Sequence, residues 1–130
     1  MSSVVIGLQH VALPYPGTTE AAAGVRAFYG EALGLAEIPV LPPLDDSILW
    51  FSAGGQEIHI YPEPSGVAVN SESRRHACLQ VSDVDAYRCR LTERGVETID
   101  GEPAIPGRPR FFALDPFGNA LEFLELTPKG

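Results

Sequence analysis

The sequence predicts an α+β chain made of two modules, each a strand, a helix and three further strands. Three observations carry that reading. The order strand, helix, strands is legible twice along the 130 residues. Each half closes on two apolar runs around a glycine-containing turn, the mark of a β-hairpin. A histidine also opens the first strand of each half, with a second candidate ligand nearly the same distance downstream: His59 after His10, and Glu122 after His76.

Module 1 covers about residues 5–62. The stretch VIGLQHVAL, at 5–13, alternates enough to form a strand, and Pro14, Pro16 and Gly17 end it. Thr18 or Thr19 caps the helix that follows, with Glu20 near its positive end. Val25, Phe28, Tyr29, Ala32 and Leu33 recur at helical spacing and make one apolar stripe. Gly34 stands where a helix C-terminal glycine belongs. Residues 37–46, with Pro39, Pro42, Pro43, Asp45 and Asp46, read as a short strand and a polar loop. ILWFSA and QEIHIY then flank Gly54-Gly55 as a hairpin.

The Pro/Ser-rich stretch 62–75 links this module to module 2, about 75–127. There HACLQV reads as a strand, and Ser82-Asp83-Val84-Asp85 resembles a capping box with Asp in place of Glu. Val84, Tyr87 and Leu91 share one helical face, Gly95 closes the helix, and residues 96–99 form a short strand. RFFAL and ALEFLEL flank the turn Asp115-Pro116-Phe117-Gly118-Asn119, where Asp115 fixes the turn.

Composition narrows the partners. Nine Lys and Arg against 17 Asp and Glu leave a net charge of −8, which argues against nucleic acid and anionic membrane, since both need clustered cations. A small-molecule substrate remains. No apolar run is long enough to span a bilayer, and MSSVVIGLQH lacks the basic start and long apolar run of a signal peptide. Cys78 and Cys89 form neither a CxxC motif nor a disulfide framework, so a reducing, cytoplasmic setting is expected.

Strand alternation sorts the side chains by face. His10 faces with Leu8 and Ala12; Glu57, His59 and Tyr61 face together, opposite Ile58 and Ile60. His76, Cys78 and Gln80 share a face, as do Ala120, Glu122 and Leu124, opposite Leu121 and Phe123. With the apolar faces packed on helices, the other faces form a cup carrying His10, His59, His76 and Glu122. Imidazoles with a carboxylate suit a divalent transition metal, with Zn, Ni, Fe and Mn all compatible. Three or four protein ligands leave open positions of the kind catalysis requires. Trp50, Phe112 and Tyr61 are candidate walls of an aromatic pocket. Arg108 and Arg110 are candidate anion contacts, Arg74-Arg75 solvates the linker, and Cys78 is a small packing residue.

These segments resemble the vicinal oxygen chelate superfamily, which includes glyoxalase I, bleomycin-resistance-type proteins, fosfomycin-resistance thioltransferases, methylmalonyl-CoA epimerase and extradiol dioxygenases. GLQHVAL, RAFYGEALGL, GGQEIHIY, HACLQVSDVDAYRCRL and RFFALDPFGNALEFLE carry the resemblance, and DPFGN followed by Leu-Glu is its most specific part. It implies a glyoxalase-like fold, in which two βαβββ modules form a curled mixed sheet around one metal-binding cup. It also implies a homodimer, with the site shared between chains in some members. His10 matches the first-strand histidine of module 1, His76 its counterpart in module 2, and Glu122 the glutamate after the DPFGN-type turn. His59 falls at the fourth position, which glyoxalase-type members fill with Glu and epimerases with Gln; Glu57 is the alternative at that corner.

The function expected is that of a divalent-metal-dependent lyase or isomerase of glyoxalase type. The metal would polarise adjacent substrate oxygens, and Glu122 would be the catalytic proton carrier if it can swing off the metal. A ring-cleaving Fe(II) dioxygenase is the alternative if His59 does not bind. A metal-free, drug-sequestering binder of bleomycin-resistance type is a further alternative, which an acidic surface would suit for a cationic drug.

Overall fold

The strand alternation that puts Ile58 and Ile60 opposite Glu57, His59 and Tyr61 is realised in full, and it organises the first module. The computed structural model describes residues 2–63 and 73–128. Module 1 runs β1 (His10–Tyr15), α1 (Thr19–Val25), a π-helical continuation (Arg26–Ala32), β2 (Glu37–Ile38), β3 (Leu49–Ala53) and β4 (Gln56–Pro62). Module 2 runs β5 (Ala77–Gln80), α2 (Val84–Glu93), β6 (Thr98–Asp100), β7 (Arg110–Leu114) and β8 (Ala120–Leu124). The two sheets have the same plan, β1-β4-β3-β2 and β5-β8-β7-β6. In each, the first strand pairs in parallel with the last and the remaining pairs are antiparallel. The helix supplies the crossover that a parallel pair requires.

One core serves both modules. Leu49, Phe51, Ile58 and Ile60 from the first sheet meet Phe111, Ala113, Leu121 and Phe123 from the second, all at most 2% exposed. The predicted helical stripe of Val25, Phe28, Tyr29, Ala32 and Leu33 is buried between them. Polar bonds also cross the boundary. The Tyr87 hydroxyl donates to the Leu33 carbonyl at 2.6 Å and Arg90 Nε to the Ala32 carbonyl at 2.9 Å. The Asn119 amide donates to the Pro14 carbonyl at 2.9 Å. Here Tyr29 donates to Asp115 at 2.7 Å, and Asp115 also accepts the Phe117 and Asn119 backbone N–H groups, so it fixes the DPFGN turn as expected.

Several local expectations are corrected. The first strand spans 10–15 rather than 5–13, because β4 begins only at Gln56 and offers residues 5–8 no partner. Val4, Val5, Ile6 and Leu8 are instead 78% to 97% exposed. Pro14 is accommodated because β1 lies at a sheet edge, where a missing N–H breaks no ladder. Thr18 is the cap of α1, accepting from the Ala21 N–H, but the helix widens after Val25, with the Leu33 N–H reaching back to the Phe28 carbonyl at 2.8 Å. Asp83, not Ser82, caps α2: its backbone is extended and its carboxylate accepts the Ala86 N–H. Glu125 takes the Val84 N–H at 2.9 Å. The short strand of module 2 lies at 98–100 rather than 96–99.

Each module thus contributes one four-stranded mixed sheet, in keeping with the expected two-module α+β fold. The edge strands β1 and β5 flank a groove of about 780 Å³, floored by Leu33, Leu35 and Tyr87. Most of the expected linker, 64–72, lies outside the described residues. Among the described residues no helix is long and apolar enough to cross a membrane.

Candidate metal centre

Cross-strand register makes the two modules equivalent position by position. On the open face of module 1, His59 lies between Ala12 of β1 and Trp50 of β3. On the open face of module 2, Glu122 lies between Cys78 of β5 and Phe112 of β7. Ala12 is two residues after His10 and Cys78 two after His76. His59 and Glu122 are therefore the same place in two copies of one design, and so are Trp50 and Phe112. The faces expected from alternation are those observed.

In module 1 the His59 ring is clamped between two others. Trp50 stacks on one side at 4.4 Å between centroids and 11° between planes; His10 stacks at 3.9 Å and 17°. The clamp explains why a residue on the open face is only 4% exposed. His59 Nε2–H donates to Glu57 at 2.8 Å, which leaves Nδ1 buried with no partner. His10 Nδ1–H donates to the Gln9 side-chain carbonyl at 2.6 Å, which leaves Nε2 bare. The bonds from His59 and then from Gln9 hold the Glu57 carboxyl below the usual carboxylate range.

In module 2 His76 Nδ1–H donates to the Arg74 carbonyl at 2.8 Å, and Nε2 lies 2.8 Å from Glu122 Oε1. The other carboxylate oxygen, Oε2, is 3.4 Å from Arg110 Nε. Glu122 is 9% exposed, and the Phe112 ring sits edge-on to His76 at 5.4 Å. Cys78 is exposed rather than packed away as expected, and partial desolvation, then the Glu122 charge, raises its thiol above the ordinary value.

These residues suit a cation in their chemistry. His10 and His59 each have one ring nitrogen bonded to a neighbour and the other without a partner among the described residues, and His76 has an oxygen partner at both nitrogens; a ring nitrogen held by a neighbour is the outer-shell pattern that orients metal-ligating imidazoles. With Nδ1 of His76 already donating, Nε2 presents a lone pair to a carboxylate, an arrangement satisfied by a second proton or a cation between them. Within one chain, however, the four predicted ligands are not brought together: among the described residues no group of three or more His, Cys, Asp or Glu is placed to hold one ion. His10 and His59 make one cluster, His76 and Glu122 another. Nor can His10 and His59 share an ion while stacked, because each lone pair lies in its own ring plane and the planes are nearly parallel.

Two participants were not singled out by the sequence reading. Gln9 orients His10, yet alternation places it on the opposite face and nothing in its type distinguishes it. Gly101 lies beside Arg110: a Cβ there would be 2.6 Å from Arg110 Cγ. Its position just after a short strand was the available signal.

Comparison with known proteins agrees with the fold. The family model of the Glyoxalase/Bleomycin resistance protein/Dioxygenase superfamily matches residues 7–123. A glyoxalase family protein of Bacillus anthracis is similar at 37% identity and a TM-score of 0.84, over 98% of this chain and 100% of that one. The fosfomycin resistance protein FosX of Listeria monocytogenes aligns at 22% identity and a TM-score of 0.71, over 92% and 91%. TnmS3, an antibiotic binding protein from Streptomyces sp. CB03234, aligns at 22% and 0.70, over 97% and 100%. No curated protein matches the chain.

Proposed function

The chain belongs to the glyoxalase/bleomycin resistance protein/dioxygenase superfamily, and on that premise we propose that it is a divalent-metal-dependent lyase or isomerase of glyoxalase type acting on a small molecule. Its centre forms between two copies, from His10 of one, joined by His59 once that ring turns out of the stack, and His76 and Glu122 of the other. The observation that carries the reading is the facing pair of His76 Nε2 and Glu122 Oε1, 2.8 Å apart with Nδ1 already committed to Arg74. Zn, Ni, Fe and Mn all suit this donor set, and one FosX structure is of a complex with Mn(II).

Assembly from two copies is supported by three features. The clusters stay apart within one chain. β1 and β5 leave their outer backbone edges open on either side of a groove. Residues 4–8 present exposed apolar side chains beside that edge. A two-fold pairing would set each chain's module 1 against its partner's module 2, giving two equivalent centres.

When bound, the cation supplies Lewis-acid polarisation of a substrate oxygen. The chain's own residues do the rest. Gln9 and Arg74 hold the His10 and His76 rings in the tautomer that presents a lone pair. Trp50, Tyr61 and Phe112 wall the space and exclude water. Glu122 is the carboxylate placed to hold or move a proton. Both cysteines are free thiols, and a reducing cytoplasmic setting is part of this reading.

The stack favours a second reading. If His59 keeps its place against Trp50 with Nε2 on Glu57, the remaining set is His10, His76 and Glu122. Two histidines and one carboxylate with open positions is the ligand set of non-haem Fe(II) oxygenases. Fe(II) uptake accompanied by dioxygen consumption on catechols would select it.

The test is metal titration of purified, untagged protein. It is expected to carry about one divalent ion per chain, and His10→Ala and Glu122→Ala are each expected to lose it. Mixed and re-equilibrated, these two variants should regain about a quarter of the wild-type centres, because each mixed dimer has one intact pair of modules. Failure to take up any of Ni, Zn, Mn or Fe would overturn the enzyme reading and leave a metal-free, drug-sequestering binder. Full uptake by a strict monomer would overturn the shared centre.

A further inference from the structure

Arg110 stands two residues before Phe112 on β7, a place that in module 1, two residues before Trp50, holds the apolar Ile48. Its side chain is only 9% exposed although it carries a charge. The guanidinium is held at two points. Nη1 donates to the Pro103 carbonyl at 2.8 Å, and Nε faces Glu122 Oε2 at 3.4 Å. Its Cζ stands 6.0 Å from the centroid of Phe112, the residue paired with Glu122 across the strands. The stem fits only because residue 101 has no side chain: a Cβ on Gly101 would lie 2.6 Å from Arg110 Cγ and 2.9 Å from its carbonyl oxygen. Gly101 has no positive φ, so conformational freedom does not account for a glycine here and the space taken by Arg110 does.

We propose that Arg110 is a positioning residue: anchored by Pro103 and admitted by Gly101, it engages Oε2 of Glu122 and so commits Oε1 alone to the cation beside His76. This rests on the reading of Glu122 as a ligand and refines it. A carboxylate whose two oxygens are assigned to different partners is a one-oxygen ligand held in a fixed rotamer. Removing Arg110 therefore loosens the ligand without deleting it. Outer-shell partners of this kind change metal affinity by about 10–100-fold.

The experiment is calorimetric titration of the full-length apoprotein with Mn(II), with thermal unfolding of each apoprotein recorded alongside. Wild type should bind and Glu122→Ala should not. Arg110→Met should bind about 10–100-fold more weakly, and Arg110→Lys, which restores a cation without the fork, should recover part of that loss. Gly101→Ala should also weaken binding, because its Cβ displaces the Arg110 stem and backbone. A purely structural Arg110 would lower apoprotein stability in both Arg110 variants and leave Mn(II) affinity at the wild-type value. That result overturns the proposal while the ligand reading stands. Wild-type protein that binds no Mn(II), or Glu122→Ala that still binds it, removes both.

Discussion

The Tyr29–Asp115 bond ties the helix of one module to the turn that launches β8, and its removal has a calculable cost. Asp115 is 5% exposed and accepts four bonds: from the Tyr29 hydroxyl at 2.7 Å, the Asn119 amide at 2.7 Å, and the backbone N–H groups of Phe117 at 2.9 Å and Asn119 at 2.8 Å. Tyr29 is fully buried, so its hydroxyl has no water to turn to. Each stranded buried donor costs about 1–3 kcal/mol. The half-buried turn donors recover part of their loss by hydration, so Asp115→Ala should destabilise by about 3–5 kcal/mol. Tyr29→Phe deletes one donor and leaves Asp115 with three, so it should cost about 1–2 kcal/mol. The double variant should show a coupling of about 1.5–3 kcal/mol, the range for hydrogen bonds to charged groups. Urea unfolding at fixed protein concentration measures all three as shifts in midpoint at unchanged slope. Asp115→Ala costing under about 1 kcal/mol, or a coupling below about 0.5 kcal/mol, would refute the reasoning.

Three further outcomes are expected. Burial, and secondarily the Asp115 charge, raises the Tyr29 phenol far above its ordinary value of 10.0, and burial also raises Tyr15 and Tyr87. A raised tyrosine binds its proton more tightly in the folded state, so its stabilising contribution is complete below pH 10.0 and is lost as pH climbs above it. Alkaline unfolding should therefore coincide with the rise in tyrosinate absorbance, and Tyr29→Phe should move its midpoint upward; a midpoint unmoved by Tyr29→Phe would contradict this. Asp83→Ala should cost about 1 kcal/mol in urea unfolding through the lost cap of α2, whereas Ser82→Ala should stay within about 0.5 kcal/mol. Ile6→Glu, at a side chain 97% exposed in the single chain, should leave its secondary structure intact and convert the proposed dimer to monomer in sedimentation. A dimer that persists would dissociate that segment from the pairing.

Period-two alternation was enough to place Glu57, His59, Tyr61 and Glu122 on open faces and Ile58, Ile60, Leu121 and Phe123 in the core, because a strand buried on one side has only one tolerable register. The helical stripe from Val25 to Leu33 was equally legible. Its passage from α to π winding was not, because the same side chains satisfy both periods closely over so few turns. The start of β1 was misjudged for a different reason: the alternation of residues 5–9 is real, but strand formation needs a partner, and β4 starts too late to provide one. Asp83 displaced Ser82 as cap because either residue type suits that role and the boundary is set by tertiary packing. At the candidate centre the residue types and their module equivalence were readable from spacing. The Trp50–His59–His10 stack was not, since it depends on rotamers that spacing does not encode, nor was the separation of the two clusters, which depends on how the modules join.

The stack also equips the protein with its own optical reporter. Trp50 is the only tryptophan in the sequence, and its indole lies face to face with His59 at 4.4 Å. Any event that turns His59 out of the stack, whether ligation, charge or a bound ring displacing it, changes the immediate surroundings of the sole indole emitter. Emission intensity and wavelength therefore follow the state of one corner of the cup without a label, and a Phe112→Trp exchange in a Trp50→Phe background would move the reporter to the equivalent corner beside His76 and Glu122.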